Sequence, residues 1–144
     1  MKSLFLVGRA IFGGFFLYSG INHLLKKKEL AQYAGSKQIP SPDAAVMLSG
    51  LALLLGGTSV IVGAKPKLGT AAIVGFLAAV SPTMHKFWKI ESPEQRRSEM
   101  VNFTKNLALL GAAVGLMGVR EPWPSSLSVN SPAHRIGAGT AVIG

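Results

Sequence analysis

Four stretches of this 144-residue chain contain no Asp, Glu, Lys or Arg at all: Ala10–Ile21, Ala44–Ala64, Leu68–Met84 and Asn106–Val119. Crossing the hydrocarbon of a bilayer takes about 20 helical residues, and a run of about 18 or more without charge is a membrane-span candidate. Ala44–Ala64 meets that length outright, with 21 residues. The other three reach it with their flanks, as Ser3–Asn22, Leu68–Trp88 and Val101–Val119. A water-soluble domain carries about 25% charged residues, whereas this chain has 15% charged and 49% hydrophobic residues. Too few polar side chains remain to cover a soluble surface. The sequence predicts an all-α fold: an integral membrane four-helix bundle with spans at about 3–22, 44–64, 68–88 and 101–119, running antiparallel up and down.

The ends and connections fit that plan. Arg9 interrupts the apolar run after Met1-Lys2, and no small-x-small pair closes it, so the N-terminus reads as a retained first span rather than a signal peptide. A 20-residue loop carrying Lys26, Lys27, Lys28 and Lys37 follows. Pro40 and Pro42 argue against helix in the approach to span two, which Asp43 is placed to cap. "KPK" at Lys65–Lys67 is so short that spans two and three must form a hairpin, and Pro82 loosens the end of span three. Ser92, Pro93 and Glu94 carry the signature of a helix start, so a polar helical extension is expected to run into span four. Residues 120–144 are rich in Pro, Ser and Gly and read as a poorly ordered tail; His134 within it reads as solvated.

The net charge is +9. Gathered between spans, these cations suit anionic lipid headgroups, and no nucleic-acid-binding motif accompanies them. Both termini and the KPK turn fall on one side. Lysines and arginines are more numerous on the side of the two long loops, which inclines those loops to the cytoplasm. The chain has no cysteine, which excludes disulfides, thiol redox chemistry and cysteine-held iron–sulfur clusters.

Helices in lipid associate mainly through close backbone approach at small residues. Ala71, Gly75 and Ala79 recur every four residues in span three, while Ala108 with Ala112 and Gly111 with Gly115 do so in span four. Ala10 with Gly14, Ala52 with Gly56 and Ser59 with Gly63 are further pairs. These positions are the expected packing seams.

The polar residues at or inside the spans are the candidate ligand-binding groups. Arg9 lies about six residues into span one; an ionisable residue there costs on the order of 3 kcal/mol and marks either a site or a side chain snorkelling to the headgroups. His23 and His85 end spans one and three at the same membrane face, with Trp88 close behind. "MHKFWKIES" is read as an interfacial belt, with Trp at headgroup level and the lysines in water. The alternative makes His23, His85 and Trp88 the mouth of a cavity, faced by Asn102 and Asn106 four residues apart on span four. A haem between the two histidines is disfavoured by their shallow position. No nucleophile–base set, phosphate loop or metal-binding motif is present, and no acidic side chain interrupts a span as it would in a transporter.

The segments "VGRAIFGGFFLYSGINHL", "YAGSKQIPSPDAAVMLSGLALLLGG" and "MHKFW…SPEQRRSEMVNFTKNLALLG" resemble the DoxX family of small four-helix bacterial membrane proteins, over about residues 4–119. The resemblance implies distant kinship with the quinone-reducing DoxD subunit of thiosulfate:quinone oxidoreductase and a place in membrane redox or oxidative-stress assemblies. It puts Arg9, His85, Trp88 and Asn106 at the family's recurring polar and aromatic positions; His23 departs from the pattern. The expectation is an accessory subunit of a membrane redox system in a bacterial inner membrane, with a quinone as the implied ligand near His85, Trp88 and Arg9. Membrane or soluble redox proteins, or a second copy of the chain, are the implied partners. The alternatives are a scaffold whose loops dock soluble proteins and, less favoured, a small-solute carrier.

Overall fold

The computed structural model describes residues 1–126; most of the expected tail, with His134, lies outside the described residues. Five helices follow one another: α1 (Lys2–Leu25), α2 (Lys27–Ser36), α3 (Pro42–Val62), α4 (Pro66–Met84) and α5 (Pro93–Met117), with a 3₁₀ turn at Phe87–Lys89. Four of them are long and apolar enough to cross a membrane: α1, α3, α4 extended through the turn to Lys89, and α5. Proline opens α3, α4 and α5 at the first turn, where its missing N–H costs nothing and its fixed φ suits the helix.

α1 packs on α3, α3 on α4, and α4 on α5. The faces of α1 separate cleanly. Leu4, Val7, Ile11, Phe15 and Tyr18 form an exposed apolar stripe, while Arg9, Gly13, Phe16 and Gly20 are buried on the opposite side. An outward apolar stripe is unfavourable in water and expected in lipid. Phe16, Leu53, Val60, Ile73, Leu77 and Ala113 fill the centre.

Only part of the expected small-residue seams lies at the close approaches: Gly56 and Ser59 of α3 do, and the other glycines at helix–helix contacts were not among them. A methyl group on Gly13 would come within 2.9 Å of the Gly57 carbonyl oxygen, and one on Gly20 within 2.8 Å of the Gly50 oxygen. α1 and α3 thus meet at glycines seven residues apart on each helix. Gly56 and Gly69 serve α3 and α4 in the same way, each methyl falling 2.8 to 2.9 Å from the other's carbonyl oxygen. By contrast, nothing lies within 4 Å of a methyl on Gly75, Gly111 or Gly115, and Ala71, Ala79, Ala108 and Ala112 are exposed. The expected seams of α4 and α5 therefore face outward.

Three boundaries differ from expectation. Residues 27–36 of the first loop form α2, whose Ala31 and Ala34 pack with Val46 of α3. Asp43 is inside the first turn of α3 rather than capping it, and the N-cap is Ser41, whose side chain makes no capping bond. The tail does not begin at 120: residues 119–126 fold back beneath the bundle and bury Trp123 to 2% exposure. Gly63, in the left-handed region at φ 73°, lies so close to this returning segment that any side chain there would strike Ser126.

Candidate functional site

The polar residues separate to the two ends of the bundle. At the termini end Arg9 is 4% exposed. Its guanidinium donates to the carbonyl oxygens of Pro124 (3.0 Å) and Ser125 (3.3 Å) and to Ser126 Oγ (3.4 Å). The forked, permanently charged head satisfies several acceptors of the returning segment at once. Phe5 meets the Trp123 ring edge-to-face at 5.4 Å, and the Glu121 carboxylate accepts the Lys67 backbone N–H at 3.0 Å. Arg9 is the anchor of a C-terminal clamp. It lies 14 residues before His23 on one helix, about 21 Å away along the axis, and does not share a site with the histidines.

At the opposite, loop end a half-open cleft of about 330 Å³ lies between the end of α1, α2, the start of α3 and the end of α4. That is the small end of the range for ligand sites, enough for a single ring with a tail trailing into lipid. Its walls are mainly apolar, including Leu30, Ile39, Val46, Phe76, Val80 and Met84, with His23, Tyr33, Ser49 and Thr83 as the polar side chains. The His23 ring lies edge-on to Phe76 at 5.8 Å. Its Nδ1 is 2.8 Å from the Ser19 carbonyl oxygen; since a carbonyl only accepts, Nδ1 carries a proton, and in the Nδ1–H tautomer Nε2 is an acceptor.

Beside the cleft, Glu99 ties three elements together. One carboxylate oxygen meets His85 Nδ1 at 2.5 Å at the end of α4, and the other receives Lys37 Nζ just past α2 and the Tyr33 hydroxyl of α2, both at 3.4 Å. Glu99 belongs to the polar first turns of α5, before its apolar membrane-spanning part, which begins near residue 101. Burial works to raise this carboxyl, but the His85 hydrogen bond and the charges of Lys37 and His85 outweigh it and hold the group below its ordinary value.

Of the six candidate residues only His23 lines the cleft. His85 is turned to Glu99. α4 ends at Met84, so Trp88 does not continue it; it sits in the 3₁₀ turn, half exposed, against Phe87 and Phe103 at 5.2 and 6.0 Å. Asn102 and Asn106 are partly buried on α5 and outside the cleft lining. Tyr33, Ser49, Thr83 and Glu99 were not anticipated. The spacing Leu30, Ala31, Ala34 was the available signal for an amphipathic α2 that would bring Tyr33 to the edge of the cleft. Among the described residues no group of His, Asp and Glu is arranged to hold a metal ion.

A family model, DoxX, matches residues 4–86, more than half of the chain and the first three spans. The chain belongs to the DoxX family. It is a multi-pass membrane protein of that family, and the match takes in α2 and every residue lining the cleft while stopping short of α5 and Glu99. No curated protein and no solved structure matches it.

Proposed function

We propose that this DoxX protein is an accessory subunit of a membrane redox system in a bacterial inner membrane, holding a lipid-soluble quinoid carrier in the loop-end cleft. The observation that carries the reading is the cleft itself: mainly apolar walls from α2 and the loop ends of three membrane helices, with a histidine and three hydroxyls among them. That is the setting for an amphiphile with a small polar ring and an apolar tail. The exposed cations at the same end, among them Lys26, Lys28, Lys89 and Arg97, suit a redox partner with an acidic surface docking over the cleft.

The test is extraction of bound lipids from protein purified in mild detergent. The reading predicts a quinoid near one equivalent per chain, and its loss in Ala79→Trp, which fills the cleft from a position exposed enough to tolerate the ring. No co-purified quinoid, together with no change in melting when a short-chain quinone or its hydroquinone is added, overturns it.

A further inference from the structure

We propose that the cleft selects the reduced, dihydroxy form of its quinoid ligand over the oxidised, dicarbonyl form. The inference rests on the reading of the cleft as a quinoid site and adds which redox state it holds.

The argument is an inventory of donors and acceptors. Four polar side chains line the cleft, and each already directs its proton elsewhere. His23 Nδ1–H donates to the Ser19 carbonyl at 2.8 Å, the Thr83 hydroxyl to the Ala79 carbonyl at 2.6 Å, and the Ser49 hydroxyl to the Val46 carbonyl at 3.0 Å. The Tyr33 hydroxyl donates to Glu99 at 3.4 Å. Hydroxyls three or four residues along from a helical carbonyl bond back to it readily. What these groups still offer a ligand are lone pairs: the hydroxyl oxygens of Ser49, Thr83 and Tyr33, and, in the Nδ1–H tautomer, Nε2 of His23.

The backbone supplies no compensating donor. Pro40 has no N–H, and the N–H groups of Ile39 and Ala45 are bonded to the carbonyls of Ala34 and Ser41. The N–H groups left free at the start of α3 by the helix geometry belong to Asp43 and Ala44, neither of which lines the cleft. A quinone ring brings only acceptors, so its carbonyls would face lone pairs. A hydroquinone brings an O–H at each end of the ring and meets acceptors on the walls. A buried polar group facing an unsuitable partner discriminates strongly between otherwise isosteric ligands.

The experiment titrates the protein in lipid nanodiscs, without oxygen, with one short-chain benzoquinone, its hydroquinone and the hydroquinone dimethyl ether. The hydroquinone is expected to bind at least about tenfold more tightly than either of the others. Thr83→Val keeps the side-chain shape and removes an acceptor; Ser49→Ala does the same on α3. Each is expected to reduce the advantage of the hydroquinone several-fold by weakening hydroquinone binding, with a melting curve showing that the variant is folded. Quinone binding equal to or tighter than hydroquinone binding overturns the preference and leaves the cleft standing as a quinoid site. If none of the three binds, the site reading falls and the preference falls with it.

Discussion

Gly57 sits where α3 crosses α1, and a methyl group there would press on the Leu17 amide nitrogen and, at 2.7 Å, on the Gly13 carbonyl oxygen. Both contacting groups are backbone, so the helices themselves must separate to admit it. Gly57→Ala is therefore expected to cost about 1–3 kcal/mol, the usual range for overpacking a tight interior, read as a lower melting temperature in detergent. Gly115→Ala meets open space and removes a poor helix former, so it is expected to be neutral or to stabilise by up to about 1 kcal/mol. If both variants melt alike, the packing described for α1 and α3 is wrong. Sequence pattern did not separate these glycines. Small residues four apart occur in every span, and only the rotation of each helix decides which pair meets a neighbour. His23 was legible as a polar helix end, but its place in a cleft was not, because the opposite wall comes from α2.

Two elements were hidden by composition. "KKELAQYAGS" reads as a charged loop, yet Leu30, Ala31 and Ala34 fall on one face, and burial against Val46 holds the segment as α2. "REPWPSS" reads as the start of a free tail, yet its one tryptophan is buried and Arg9 binds the carbonyls that follow. Removing the guanidinium by Arg9→Leu leaves those carbonyls without their donor and is expected to cost about 1–3 kcal/mol. In a Trp88→Phe background the emission of Trp123 should shift to the red and become open to a water-soluble quencher. Unchanged emission would show that the clamp does not depend on Arg9. The link between α5 and α2 has its own signature. The folded state holds the Glu99 carboxyl below its ordinary value, so its contribution to stability is complete above the unfolded value of about 4.3 and is lost as pH falls through the lower folded value. The wild type is expected to lose melting temperature below about pH 4. Glu99→Gln should be less stable at neutral pH and lose that part of the acid dependence; the same acid slope in both would remove Glu99 from the account.

At the scale of the molecule, the number of spans, the α3–α4 hairpin and the continuous polar start of α5 were all legible, because the cost of burying charge in hydrocarbon sets a pattern that no local preference overrides. The division of labour between the two ends was only partly legible: the sequence put the two histidines at one face but expected a single ligand near Arg9 as well, and a clamp and a cleft are products of tertiary contact. The arrangement makes a direct demand on topology. Lys2, Lys67 and the returning C-terminal segment share one face of the membrane; α2, the 3₁₀ turn and the start of α5 share the other. Because the chain has no cysteine of its own, single cysteines at Lys28, Lys67 and Arg97 can be probed in sealed vesicles with a maleimide that does not cross the bilayer. Lys28→Cys and Arg97→Cys should react from the same side, and Lys67→Cys only from the other. Labelling of Lys28→Cys and Lys67→Cys from one side would contradict the bundle and the cleft built on it.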